Sequence, residues 1–184
     1  FYQAVKGKPL NFFKDEEFRT YFFVMAILVP FFAWILLVSG ASAAPLREAA
    51  FQVASIATST GFMTADFDRW PSVLKFILVL LIFVGGCGGS TAGGLKVIRA
   101  LLSVKIVIRN TIQAVFPNAV LPVKFNGKAL EDKMVVGVLS FFALYLLMFF
   151  AGTLILIMTD GTDIVTAMTA AVTSMSNCGP GLGQ

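Results

Sequence analysis

From Met134 to Thr159 the chain runs 26 residues without a charged side chain. As an α-helix that stretch rises about 39 Å, more than the thickness of a bilayer's hydrocarbon core. In hydrocarbon an exposed peptide N–H or C=O finds no water. Irregular backbone at that depth must therefore be buried in protein or line a wet cavity. A second uncharged run, Thr20 to Pro45, contains the 18-residue "YFFVMAILVPFFAWILLV" (Tyr21 to Val38). Pro30 is tolerable there because a kink or a neighbouring helix absorbs the lost hydrogen bond.

Composition agrees with a membrane protein. Charged residues make up 13% of the chain and apolar ones 58%, whereas a soluble domain of this size is about 25% charged. There is no histidine, which excludes histidine metal sites and histidine acid–base chemistry. Cys87 and Cys178 belong to no CxxC pattern, lie among glycines and small residues, and read as small packing residues. Phe1 is not a start methionine and residues 1–20 carry mixed charges, so the chain reads as cut from something longer.

Two stretches are apolar yet too short to span. After Pro45, "AAFQVASIA" leads into "TSTGF" within half a bilayer's length, and "TADFDRWPS" returns the chain to water with Trp70 at the interface. "IVTAMTAAVTSM" behaves alike after Asp160 and Asp163, ending in "SNCGPGLG". Between them "VLKFILVLLIFV" starts a crossing but meets "GGCGGSTAGG", residues 85–94, with six glycines in ten. Each glycine costs about 1 kcal/mol relative to alanine inside a helix, so a broken span is expected, resuming at "LKVIRALLSVKIVIRN". The polar connection after it contains Asn126-Gly127, the pair of a two-residue hairpin turn.

Eleven of the 14 basic residues lie in 1–20 or 96–133, and only Arg47, Arg69 and Lys75 lie on the other side. Basic residues mark the cytoplasmic face, so both half-length helices enter from outside. The net charge of +4 is explained by this orientation, with no nucleic-acid partner. Lys96 and Arg99 read as interfacial anchors, or alternatively as charges that repel cations at an inner gate or contact a cytosolic partner.

Shifting the chain by 118 residues sets Gly61 on Gly179 without gaps and pairs Ser55 with Thr173, Thr58 with Ser176, Ser59 with Asn177 and Thr60 with Cys178. Few letters are identical, but the order of long helix, half helix and small-polar-glycine turn is shared. The expected fold is an all-α integral membrane protein of helix–re-entrant pore loop–helix repeats with one broken transmembrane helix. Its parts are a cytoplasmic lead-in 1–20 and a complete repeat 21–110, made of a span 21–44, a pore helix and turn 45–62 and a broken span 73–110. A cytoplasmic connection 111–133 follows, then a partial repeat 134–184 with its span at 134–159 and its pore helix and turn at 162–183.

A half helix entering from outside points its partially negative C-terminal end at the membrane centre. Glycine, small neighbours and no charge suit a cation filter of inward carbonyls. The candidates are Thr58, Ser59, Thr60, Gly61 and Phe62 in one turn, and Ser176, Asn177, Cys178, Gly179 and Pro180 in the other. Main-chain carbonyls of Thr58 to Thr60 and Ser176 to Cys178 would hold the ion. Two other readings stay open: a structural or assembly module whose turns merely cap half helices, and a membrane-embedded enzyme. The glycine run is not a phosphate loop, because Leu95 separates Gly94 from Lys96 and Gly86-x-Gly88 leads to Thr91.

"TSTGF", "GGCGGSTAGGLKVIR", "FPNAVLPVKFNGK" and "NCGPGLG" occur in this order and together resemble the Trk/Ktr/HKT superfamily of potassium transporters. That resemblance implies four pore-loop repeats around a potassium path, of which this chain is similar to the third and most of the fourth. It makes the two turns filter quarters with K+ as the transported ion, no cofactor and no enzyme activity. It makes Gly85, Gly86, Gly88, Gly89, Ser90, Thr91, Gly93 and Gly94 an intramembrane gating loop. It further implies a bacterial inner-membrane location with 1–20 and 96–133 cytoplasmic. The implied partners are the remaining repeats of the parent chain, a second copy in a homodimer, and a cytosolic nucleotide-binding regulatory subunit (TrkA-like). Ser59 departs from the family's frequent threonine and Cys178 from its frequent leucine.

Overall fold

Asp15 opens the first helix by accepting the Glu17 backbone N–H at 2.9 Å, and Glu16 and Glu17 occupy the first turn, where the helix end is positive. This helix, α1, runs Glu16–Ser39 and stops at Gly40, whose left-handed φ of +64° is a common helix ending. The uncharged run suggests a span over 21–44; capping instead starts the helix earlier and Gly40 ends it. The computed structural model describes residues 15–117 and 121–182. The first 14 residues of the 1–20 lead-in, residues 118–120 of the connection, and 183–184 at the end of the second turn lie outside the described residues.

Helix α2, Pro45–Ala57, starts on proline, whose missing N–H costs nothing at that position. A short 3₁₀ turn, Phe67–Arg69, precedes α3, Ser72–Val84. After the glycine run comes α4, Val97–Val115. Strands β1, Lys124–Phe125, and β2, Lys128–Ala129, pair antiparallel around Asn126 and Gly127, both at positive φ as the two-residue turn demands. Helix α5, Asp132–Asp160, ends at the left-handed Gly161, and α6, Ile164–Ser176, is capped by Asp163, which accepts the Val165 N–H at 3.2 Å.

Helices α1 and α5 are long and apolar enough to cross a membrane. The half helices α2 and α6 have 13 residues each, about 20 Å. Each folds back on the long helix before it, α2 on α1 and α6 on α5, and α6 also packs on α3, which joins the two halves. The main core that results holds Phe32 and Leu36 of α1, Val53 and Ile56 of α2, Leu78 and Ile82 of α3, Phe149 of α5 and Val172 of α6. Trp70 closes it at one end with its ring edge-on to Phe32, centroids 6.3 Å apart. Outside this core, Phe23, Ile27, Trp34 and Leu37 of α1 and Leu147, Phe150 and Ile155 of α5 are exposed. Such a band is at home against lipid or further membrane helices.

Candidate functional site

The turns after α2 and α6 have the same backbone geometry. In the first, Ser59 donates its N–H to the Ile56 carbonyl at 3.0 Å and Thr60 donates to Ser55 at 2.9 Å. In the second, Asn177 donates to Ser174 at 3.4 Å and Cys178 to Thr173 at 3.2 Å. Each bond maps onto its counterpart by the 118-residue shift. Ser59 and Asn177 have φ of +55° and +51°, and Gly61 and Gly179 have +78° and +99°. This left-handed region is routine only for glycine, with asparagine and aspartate next.

Side chains complete the likeness. The Ser55 hydroxyl donates to the Phe62 carbonyl at 2.7 Å, and the Thr173 hydroxyl donates to the Pro180 carbonyl at 2.6 Å. Each half helix thus ties down the strand that leaves it. The Phe62 and Pro180 carbonyls accept from these hydroxyls, whereas among the described residues the carbonyls of 58–61 and 176–179 accept no hydrogen bond. Thr58 donates to the Ala54 carbonyl at 2.8 Å and lies 2.6 Å from the Thr60 hydroxyl, both residues being exposed.

The turns meet. A Cβ on Gly61 would fall on the carbonyl oxygen of Cys178, with Pro180 Cδ at 3.1 Å. The Cys178 thiol lies 3.9 Å from the Ile56 carbonyl. Ser176 is fully buried; its hydroxyl donates to Ile82 O at 2.7 Å and accepts from the Tyr145 hydroxyl at 3.2 Å.

The glycine run is a closed excursion between α3 and α4. Leu95 and Lys96 return their N–H groups to Phe83 and Val84 at 3.2 and 2.7 Å, satisfying carbonyls at the end of α3. Val97 N–H reaches Gly86 O at 3.1 Å. Gly85 packs on the Gly93 carbonyl at φ +72°. A Cβ on Gly93 would come within 2.5 Å of the Ser176 carbonyl group, and one on Gly86 would lie 3.9 Å from Ala57 O. The run therefore touches the ends of both half helices. Gly88, Gly89, Ser90 and Thr91, by contrast, are exposed at its far side. Lys96 donates from Nζ to Ser90 O at 2.6 Å on that exposed side, and Arg99 lies over the Phe141 ring at 4.1 Å.

Sequence reasoning passes over three contacts here. Ser55 and Thr173 are paired by the repeat alignment, but their spacing of seven to the carbonyls they hold carries no motif. Ser176 reaches Ile82 across 94 residues, beyond any local pattern. Glu17, in the charged lead-in, is buried and bonds the glycine run. An acidic residue at the very mouth of a span is the signal that was available.

Residues 2–184 match the model of the TrkH family, described as a cation transport protein. The chain is 37% identical to the "Trk system potassium uptake protein TrkH" of Escherichia coli (strain K12), over 99% of this chain and 38% of that protein. It is 39% identical to the protein of the same name from Halomonas elongata, over 95% of this chain and 36% of the relative. The crystal structure of the potassium transporter TrkH from Vibrio parahaemolyticus superposes with a TM-score of 0.88 at 40% identity, covering 98% of this chain and 39% of that one. The chain thus spans less than two-fifths of the length of these relatives, and over that span it belongs to the TrkH family of cation transport proteins.

Proposed function

We propose that this chain supplies two neighbouring quarters of a potassium path. Ions shed water against the main-chain carbonyls of Thr58–Gly61 and Ser176–Gly179, and the excursion 85–94 opens or blocks the path beneath. The carrying observation is the contact of Gly61 with Cys178. It sets two uncharged turns of equal geometry side by side, with Gly93 against the base of one of them. Carbonyl dipoles favour a desolvated cation without the trapping that a carboxylate would cause. The alternative, turns that merely cap helices, accounts for left-handed residues after each half helix but not for the contact of one turn with the other at Gly61 and Cys178.

In this reading the rest of the parent chain provides the other quarters, and the work done is transport, not catalysis. The relatives are named as potassium uptake proteins of a Trk system, which supports K+ as the ion and a system with further components. A second copy and a cytosolic nucleotide-binding regulatory subunit facing 96–133 complete the arrangement, in the bacterial inner membrane.

The test uses the parent protein in potassium-loaded vesicles. Rubidium or potassium uptake should exceed sodium uptake, and substitution at Gly61 should erode that preference. Uptake without any ion preference, or a preference indifferent to both turns, would overturn the filter.

A further inference from the structure

We infer that Glu17 is the positioning residue that latches the glycine run, a role that rests on the gating reading above. Glu17 is the second residue of α1, yet its side chain does not turn to water: the residue is only 9% exposed. Capping of α1 is done by Asp15, so the Glu17 carboxylate is free to reach elsewhere. Its Oε1 accepts the backbone N–H of Gly88, inside the run, and the N–H of Ile98 at 3.1 Å, in the first turn of α4. Among the described residues it makes no ion pair.

A carboxylate buried that far is tolerable only when hydrogen bonded. The Ile98 N–H belongs to a helix's positive end, where a carboxylate is favoured. That bond fixes Glu17 against α4, and next to it Glu16 pairs with Lys105, two turns further along α4. The mouth of α1 and the start of α4 therefore form one anchored unit. The Gly88 bond attaches the run to it. Gly88 is otherwise exposed, and neither it nor Gly89 has a side chain to hold it. Lys96 secures the run at Ser90, and Glu17 secures it two residues earlier. A pure helix cap would need only Ile98; the bond to Gly88 is what makes Glu17 a latch.

Cys87 is a native reporter beside Gly88, half-buried and free. In the full-length parent, purified and reconstituted, the rate of maleimide attachment at Cys87 is read by mass spectrometry, together with potassium flux. Glu17→Ala should raise the Cys87 rate about tenfold above that of Glu17→Gln, since it removes the acceptor of two amide N–H groups. Glu17→Asp, one methylene short of the two amides, should raise it too and covers the case of an alanine variant that does not fold. Glu17→Gln keeps an oxygen that can accept both N–H groups and lacks, as alanine does, the negative charge beside the thiol, so it sets the baseline for the alanine variant. Flux should rise with the Cys87 rate while the potassium-over-sodium ratio holds. A Cys87 rate in Glu17→Ala no higher than in Glu17→Gln, together with a parental rate in Glu17→Asp, overturns the latch. A raised Cys87 rate with unchanged flux supports the latch and overturns the gating role of the run instead.

Discussion

Gly61 lies against the carbonyl of Cys178 so closely that no side chain fits between them. At Gly179 the φ is also left-handed, +99°, but among the described residues nothing lies within 4 Å of where a Cβ would stand. The two glycines that the repeat makes equivalent are therefore held by different constraints. At Gly61 both sterics and backbone oppose replacement, so a neighbour must shift; at Gly179 backbone strain alone opposes it, about 1–2 kcal/mol.

Gly61→Ala should accordingly cut the potassium-over-sodium preference of the parent more deeply than Gly179→Ala, with membrane expression of both close to the parent's. Paired uptake measurements in one vesicle preparation decide it. Equal loss in the two variants, or greater loss at Gly179, would show that the Gly61–Cys178 contact does not set the filter.

The hydroxyls of Ser55 and Thr173 hold equivalent carbonyls through equivalent bonds. Because one repeat uses serine and the other threonine, the methyl group is incidental. Ser55→Thr and Thr173→Ser should leave stability and selectivity near the parent's. Ser55→Ala and Thr173→Val each leave a carbonyl without its partner; the Thr173–Pro180 bond is buried, so its loss costs about 1–3 kcal/mol, and the part-buried Ser55–Phe62 bond costs less. Thermal unfolding in detergent and the ion ratio should both fall for the deletions and not for the swaps. If the swaps are as damaging as the deletions, packing at these positions matters and the hydroxyl does not.

Length and charge make much of this legible in the sequence. An uncharged run of bilayer length has only one way to satisfy its peptide groups, which is why α1 and α5 can be read directly. The half-length runs declare α2 and α6 by the same arithmetic. Helix ends are less visible: Asp15 and Gly40 move α1 to Glu16–Ser39, because capping and a left-handed glycine outweigh hydropathy at a terminus. The repeat shift aligns the two turns, and the matched φ values of Ser59 with Asn177 give that alignment a geometric meaning. Contacts between turns are not legible. Nothing near Gly61 names Cys178 as its neighbour, and nothing near Glu17 names Gly88, 71 residues away. Charge there even misleads, since a lead-in with both signs reads as solvated while one of its carboxylates is buried against main-chain amides.

Gly93 offers the sharpest separation of gate from filter. A methyl group there would press on the Ser176 carbonyl at 2.5 Å, and one of the two must move. Ser176 is pinned: its hydroxyl bonds Ile82 O at 2.7 Å, Tyr145 bonds it in turn, and both partners sit on packed helices. Among the described residues the run is tied at Gly86, Gly88 and Ser90 but carries no hydrogen bond from Thr91 to Gly94, so that end of the run should yield. Gly93→Ala should therefore change potassium flux while the ion ratio holds. Gly137→Ala, inside α5 with nothing among the described residues within 4 Å of its added carbon, should leave flux alone and stabilise the helix by about 0.5–1 kcal/mol. Adding Ser176→Ala to Gly93→Ala should shift the damage. With the pin removed, the end of α6 yields as well, and the ion ratio should now fall with the flux. A double variant that keeps the parental ratio would mean that Ser176 does not hold the second turn in place.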